Sequence, residues 1–168
     1  ACSVAVRIAM LKAGFLQFEP RFREVACNLN AVLDLLDPVD ADLMVLPELA
    51  FTGYAFKSRE EVAAVAEDPN RSTTVDALIS LCSRKEMHLV TGFAEKAGEN
   101  YFNSSLLIGP GGVVRKYRKL HLFDTEKHCF DPGDNALEVD PVNGVGVGMM
   151  ICFDWIFPEA ARSLALKG

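Results

Sequence analysis

The sequence predicts an α/β fold built on a sheet of mixed strand direction. Short apolar runs alternate with segments whose apolar residues recur at helical spacing, in the order strand, helix, strand, helix, strand. Two further strand patterns flank the loop Gly109-Pro110-Gly111-Gly112, which is typical of a β-hairpin. Helix-linked strands followed by a hairpin indicate a layered α/β fold with parallel and antiparallel neighbours.

The predicted elements follow one another without a linker or an internal repeat. The expected strands are residues 11–18, 42–46, 88–93, 103–108, 113–117, 137–139 and 145–151. The expected helices are residues 23–36, 60–66 and 72–84, and Pro158 suits the first turn of another helix. Cys82 lies on the apolar face of its helix and is expected in the core, whereas Cys27 lies off the apolar face of its own helix.

Composition and charge argue against several functional classes. The 168 residues suit one domain with a sizeable core, and half of them are hydrophobic. A net charge of −6 without a basic stripe argues against nucleic-acid binding. No apolar stretch approaches the ~18 residues of a membrane span. Neither a nucleic acid nor a membrane is therefore expected as a partner.

Residues 1–10 are expected to be an N-terminal extension, and residues 11–168 the N-terminal part of a single domain. The extension is too short and too weakly charged for a secretory signal, and Met10 is a candidate for the original start. The five cysteines are an odd number and form no C-x-x-C pair, so neither a zinc site nor a redox motif is indicated. The simplest expectation is a reducing, cytoplasmic location.

Cys152 stands at the end of the apolar run 145–151, shortly before Pro158. Such a run is expected to be a buried strand, and its glycines leave room for close backbone approach. Where a strand turns into a helix, free backbone N–H groups stabilise negative charge, which suits a thiolate nucleophile. A cysteine taken alone is more often a small core residue, so the assignment depends on groups upstream.

Two such groups are Glu48 and the basic segment 115–119. Glu48 directly follows the apolar run 42–46, where an unpaired buried carboxylate would be costly and where catalytic groups gather. The alternative is a solvated loop glutamate. In the basic segment, either the cations protect a strand edge or one lysine turns inward as a fixed cation. His121 and His128 are weaker candidates as ligands.

Glu48, Lys119 and Cys152 each stand at or just beyond the C-terminal end of a predicted strand, and strand ends of one sense converge on one rim. The surrounding motifs resemble the nitrilase superfamily of carbon–nitrogen hydrolases. They are Pro47-Glu48-Leu49 with Thr52-Gly53-Tyr54, Tyr117-Arg118-Lys119 with His121-Leu122, Cys152-Phe153-Asp154 with Phe157-Pro158-Glu159, and the turn Phe130-x-Pro132-Gly133-Asp134. The resemblance runs over residues 11–168.

The resemblance implies a Glu-Lys-Cys catalytic triad formed by Glu48, Lys119 and Cys152. Glu126 occupies the place of a second glutamate, which would position the substrate nitrogen or Lys119. The implied fold is a nitrilase-like α-β-β-α four-layer sandwich, here incomplete at the C-terminus, that forms homodimers or larger homo-oligomers through its outer helices. The implied partner is a small-molecule substrate, and neither a metal nor an organic cofactor is required.

The residue types suit this chemistry. Glu48 would accept the thiol proton, and Cys152 would attack the carbon of an amide, carbamoyl or nitrile group. Lys119 and the backbone N–H of Phe153 would stabilise the charge that develops on the substrate. Glu48 would return the proton to the leaving ammonia or amine, and water would hydrolyse the thioester.

The segment 152–159 looks more like aliphatic amidases and carbamoyl hydrolases than nitrilases, which usually carry Trp-Glu after the cysteine. An aliphatic nitrilase and a non-catalytic binding module with the same fold remain alternatives. A thioredoxin-like or flavodoxin-like module is excluded, because neither a C-x-x-C nor a phosphate loop is present. Since the family's domain continues past position 168, we expect residues 1–168 alone to be inactive, to aggregate or to need a partner segment.

Overall fold

A computed structural model describes residues 10–168. The predicted N-terminal extension therefore lies outside the described residues, except for the exposed Met10. The strands are β1 (Ala13–Phe15), β2 (Leu43–Val45), β3 (His88–Ala97), β4 (Asn100–Gly109), β5 (Gly112–Arg118), β6 (Val139–Val142) and β7 (Val145–Gly148). The α-helices are α1 (Val25–Leu36), α2 (Arg59–Ala63), α3 (Thr73–Lys85) and α4 (Pro158–Ala165), and 3-10 helices span Asp124–His128 and Cys152–Ile156.

A five-stranded sheet in the order β1-β2-β3-β4-β5 forms the centre of the fold. Strands β1, β2 and β3 are parallel, whereas β3-β4 and β4-β5 are antiparallel pairs. The α/β class, the mixed strand directions and the hairpin around residues 109–112 are therefore confirmed. Helix α4 begins at Pro158, as its fixed φ and missing N–H predict.

The two faces of this sheet pack against different partners because side chains alternate along each strand. One face carries Met44, Leu89 and Leu106, which pack against α1 and α3; Cys82 lies in this core, as predicted. The other face carries Leu43 and Leu107, which pack against residues of the β6-β7 hairpin and the segment that follows it. None of the described helices is long and apolar enough to cross a membrane.

The run 145–151 differs from its prediction as one continuous buried strand. Strand β7 ends at Gly148 and pairs with β6 in a separate two-stranded sheet, and its valines are only half-buried. Of the three residues that follow, Met149 and Ile151 are buried and Met150 is exposed. Strand β7 ends early because β6, its one partner in the described chain, is equally short. The close approach predicted for its glycines occurs at Gly146, which lies against the carbonyl oxygen of Gly168.

Candidate active site

Glu48 lies in the loop that leaves the carboxyl end of β2. The loop is held against β3 because the N–H of Leu46 donates to the carbonyl of Val90 (2.8 Å) and the N–H of Gly92 donates to the carbonyl of Pro47 (3.2 Å). A side chain at Gly92 would collide with the backbone of Pro47, Glu48 and Leu49. A glycine inside β3 therefore permits the close passage that places Glu48 over the end of the sheet.

Lys119 follows the last residue of β5. Its N–H donates to the backbone carbonyl of Asn103 (2.9 Å), and its own carbonyl accepts from the N–H of Gly133 (2.9 Å). Gly133 packs so closely on the Arg118 and Lys119 backbone that a Cβ atom would not fit. These contacts turn the Lys119 side chain inward, where it is fully buried. Of the two alternatives for the basic segment, an inward-facing lysine is therefore the one observed at this position.

The remaining cations of that segment are paired with carboxylates. Arg115 binds Asp140, and Lys116 and Arg118 both bind the fully buried Glu95. The cations of this segment therefore do not only protect a strand edge, because their ion pairs connect β5 to β3 and to the β6-β7 hairpin.

The Lys119 ammonium joins two carboxylates. Its Nζ lies 2.7 Å from Glu48 Oε1 and 2.9 Å from Glu126 Oε1. Burial alone would lower the pKa of Lys119, but the hydrogen bonds and charges of Glu126 and Glu48 outweigh burial and raise it. Lys119 is therefore a permanent cation, fixed between two acceptors that prevent it from moving.

Glu126 is brought to Lys119 by the 3-10 helix Asp124–His128. Its Oε2 accepts from the N–H of Phe123 (2.6 Å), which caps this helix and fixes the carboxylate. The residue is buried, with 6% of its surface exposed. Glu48, Lys119 and Glu126, which the sequence predicted as one site, therefore meet in one hydrogen-bonded cluster.

Cys152 opens the 3-10 helix Cys152–Ile156 with a left-handed backbone, φ 39°. A non-glycine residue in this conformation stores roughly 1–3 kcal/mol of strain and is often found at functional sites. Cys152 is not the small core residue that a lone cysteine most often is, because its side chain is exposed in the described chain. The N–H of Phe153 lies in the first turn of this helix, where N–H groups lack partners within the helix.

The thiol of Cys152 lies within electrostatic range of the cluster. Its partial burial raises the pKa of Cys152, the charge of Glu48 raises it further, and Lys119 acts in the opposite direction. The cysteine is therefore a neutral thiol at neutral pH, and it needs a base before it can act as a nucleophile.

Asp154 connects the Cys152 turn to the segment after β5, a role that sequence reasoning missed. Its buried carboxylate accepts from the N–H of Ile151 (3.0 Å), the N–H of His121 (3.0 Å) and the hydroxyl of Tyr117 (2.7 Å). The signal available in the sequence was an acidic residue two positions after the cysteine.

Tyr54 and Asn103 were also missed as site residues. The phenol of Tyr54 lies beside both carboxylates. Partial burial, then the charges of Glu126 and Glu48, raise the pKa of Tyr54. Tyr54 lines a cavity of about 140 Å³ together with Phe56, Glu126 and Phe130. Asn103 donates to both carboxylates. The residues described contain no group of three or more His, Cys, Asp or Glu side chains placed to hold a metal ion.

Comparison with known proteins identifies the family to which this fold belongs. The family model "Carbon-nitrogen hydrolase" matches residues 6–168. The chain is 42% identical over 162 residues to a nitrilase of Pyrococcus abyssi, covering 95% of this chain and 62% of the relative. It is 36% identical over 160 residues to an (R)-stereoselective amidase of a Pseudomonas species, covering 94% of this chain and 57% of the relative.

A solved structure shows the same fold. The crystal structure of a carbon-nitrogen hydrolase from Helicobacter pylori G27 superposes with a TM-score of 0.81 at 30% identity, covering 95% of this chain and 57% of the other. The α/β fold and these matches define the family of the chain. The chain belongs to the carbon–nitrogen hydrolase family, as its motifs indicated, and spans about 60% of the length of the relatives it matches.

Proposed function

We propose that this chain carries the catalytic residues of a cysteine-dependent hydrolase that cleaves a non-peptide carbon–nitrogen bond in a small amide or N-carbamoyl compound. The single observation that carries the proposal is the hydrogen-bonded cluster of Glu48, Lys119 and Glu126 beside the Cys152 thiol. Such a cluster supplies a base, a fixed cation and a nucleophile at one place, as acyl transfer requires.

In the proposed first half-reaction, Glu48 removes the thiol proton while Cys152 Sγ forms a bond to the substrate carbonyl carbon. The carbonyl π electrons move to oxygen, where Lys119 and the N–H of Phe153 stabilise the negative charge. Collapse of this intermediate breaks the carbon–nitrogen bond, and the proton held by Glu48 moves to the departing nitrogen. The products are a thioester on Cys152 and free ammonia or amine.

The second half-reaction repeats these roles with water. Glu48 takes a proton from water as the water oxygen attacks the thioester carbon. Collapse returns the proton to sulfur and releases the acid. Glu126, which holds Lys119 and borders the 140 Å³ cavity, would orient the substrate nitrogen or the lysine. The protein would work without a metal or an organic cofactor, in the cytoplasm.

Substitution of the nucleophile tests this proposal. We expect Cys152→Ala to abolish ammonia release while thermal unfolding stays near that of the parent, because the side chain is exposed. The assay uses the chain together with any sequence with which it is naturally produced. Cys27→Ala is the matched control, since Cys27 is a half-buried free cysteine on α1 and should leave activity unchanged. Normal turnover by Cys152→Ala would contradict the assignment.

A nitrilase is the second candidate, because the chain is 42% identical to a protein of that name. Ammonia release should be compared for aliphatic amides, N-carbamoyl amino acids and aliphatic nitriles under the same conditions. Activity confined to nitriles would show that the substrates are nitriles rather than amides or N-carbamoyl compounds. Binding of all three without an acyl-enzyme on Cys152 would indicate a non-catalytic binding module.

A further inference from the structure

Asn103 contacts all three residues of the Glu48-Lys119-Glu126 cluster. It lies on β4, and 1% of its surface is exposed. Its side-chain Nδ2 donates to Glu48 Oε1 (2.7 Å) and to Glu126 Oε1 (3.0 Å). Its backbone carbonyl accepts from the N–H of Lys119 (2.9 Å). Asn103 therefore fixes both carboxylates and the start of the segment that carries the lysine.

The donors of Asn103 and Lys119 converge on the same two oxygen atoms. Glu48 Oε1 and Glu126 Oε1 each accept from Asn103 Nδ2 and from Lys119 Nζ. Two carboxylates beside one ammonium leave one negative charge in excess, so the carboxylates repel each other. A neutral amide offsets this repulsion by hydrogen bonding without adding a further charge.

This arrangement also distinguishes the two oxygens of Glu48. Oε1 is occupied by two donors, so Oε2 is the oxygen left to take a proton from the thiol. The Asn103 Oδ1 is buried and has no hydrogen-bond partner among residues 10–168. Turning the amide over would remove both donated bonds and place its oxygen against two carboxylates, so the carboxylates determine its orientation.

We propose that Asn103 is a positioning residue that holds the Glu48 and Glu126 carboxylates in place and directs Glu48 Oε2 towards Cys152. This inference rests on the proposed function. The groups that face the two carboxylates are Lys119, Tyr54, Cys152 and Cys129. Glu126 also accepts from the N–H of Phe123 and bonds the Tyr54 phenol, but Asn103 is the neutral side chain that donates to both carboxylates.

Two substitutions separate the effect of the Asn103 hydrogen bonds from the effect of its side-chain volume. Asn103→Leu has a similar size and removes the donor together with the unpaired oxygen, so it leaves no unsatisfied group of its own. Asn103→Asp keeps the shape and places a third carboxylate against the first two. We expect both variants to lower kcat about 100-fold at pH 7, with KM changed less than about threefold.

The reactivity of the Cys152 thiol supplies a readout that a merely structural role would not change. Glu48 raises the pKa of Cys152, so a Glu48 carboxylate that no longer faces the thiol should leave Cys152 easier to ionise. Alkylation of Cys152 by iodoacetamide at pH 8 should therefore be faster in Asn103→Leu than in the wild type. Wild-type kcat together with an unchanged alkylation rate would overturn the inference.

Ser104→Ala is the matched control. Ser104 is the next residue of β4, is fully buried and donates to a carboxylate outside the cluster, Glu95 (2.6 Å). We expect this variant to unfold at a lower temperature but to keep the wild-type rate of Cys152 alkylation. If it accelerated alkylation as Asn103→Leu does, loss of any buried bond on β4 would explain the effect and the inference would fail.

The alkylation measurement is independent of turnover. An unchanged alkylation rate at Cys152 in Asn103→Leu would overturn the inference even if the protein hydrolysed none of the substrates. An inactive wild type, with faster alkylation in Asn103→Leu, would instead count against the proposed function alone.

Discussion

At the residue scale, Cys152 combines a left-handed backbone with a thiol whose pKa is raised. These features have different causes. The conformation belongs to the turn between Ile151 and the following 3-10 helix, whereas the pKa reflects partial burial and the charge of Glu48. In the proposed reaction, the carboxylate that keeps the thiol protonated at rest is also the group that removes its proton.

Glu48→Gln should therefore have opposite effects on turnover and on thiol reactivity. Turnover needs the carboxylate as a base and should fall by at least about 100-fold. The thiol pKa should fall because a negative charge that raises it is gone, so alkylation of Cys152 by iodoacetamide at pH 8 should become faster. Alkylation mapped by mass spectrometry checks this, with Cys27 as the internal reference. Slower labelling of Cys152 would contradict the proposed electrostatics.

Sequence reasoning found some of these residues and missed others for physical reasons. The cost of an unpaired carboxylate after an apolar strand indicated Glu48, although a solvated loop glutamate remained the alternative. Lys119 could not be distinguished from neighbouring cations by composition, and the motif around it selected the lysine that lies beside Glu48 and Glu126. Asn103 and Asp154 acquire their roles through contacts with residues 55 and 37 positions away, Glu48 and Tyr117, which no local pattern shows.

At the element scale, the buried Glu95 connects three strands. It lies on β3 and accepts from Ser104 on β4 and from Lys116 and Arg118 on β5. Strand β3 was predicted to end at residue 93, four residues before its observed end. The partners of Glu95 are all distant in sequence, and they make its burial possible and let β3 continue to Ala97.

Glu95→Gln should lower the free energy of unfolding at pH 7 by about 3 kcal/mol, since it leaves two cations without their buried partner. Burial alone would raise the pKa of Glu95, but Arg118, Lys116 and Ser104 outweigh burial and lower it below its ordinary value. Its contribution is therefore present above the unfolded-state pKa of about 4.5 and is lost as the pH falls through the lower folded-state pKa.

Urea unfolding at pH 7 and at several values below 4 measures this contribution. The difference in unfolding free energy between the parent and Glu95→Gln should shrink steadily as the medium becomes more acidic. Asp131→Asn is the control, because Asp131 forms a more exposed pair with Arg59 and should cost less. A difference that does not vary with pH would show that lost packing, rather than charge, is responsible.

At the scale of the whole molecule, several large apolar side chains near α4 are exposed. They are Trp155 (69% exposed), Ile156 (50%) and Leu166 (81%). Large contiguous apolar surfaces in water mark interaction sites. The expected homodimer or larger homo-oligomer would cover such a surface through the outer helices.

Light scattering after size exclusion should give the mass of a dimer or a larger assembly for the chain together with any sequence with which it is naturally produced. Ile156→Glu should weaken this association, because a charge placed in a buried apolar contact is costly. Val113→Glu introduces the same charge at a similarly exposed apolar residue on β5 and should leave the mass unchanged. A monomeric parent protein would show that the exposed residues have another role.

The fold class was predictable because alternating strand and helix patterns are local signals. The position of the β6-β7 hairpin was not, because it depends on contacts between Val142, Met149 and Ile151 and a distant face of the main sheet. Nor could the exposure of Cys152 be predicted, since an apolar run gives no measure of what covers it.

The contact between Gly92 and the Glu48 loop has a consequence for sequence variation in this protein. No side chain fits between β3 and the backbone of residues 47–49, so even alanine at position 92 would push the Glu48 loop away from the sheet. Under the proposed function, a saturation screen selecting for growth on nitrogen released by the reaction would reject replacements at position 92 as strongly as those at the proposed nucleophile, Cys152. Tolerance profiles alone would then suggest a reactive group at a position that has no side chain.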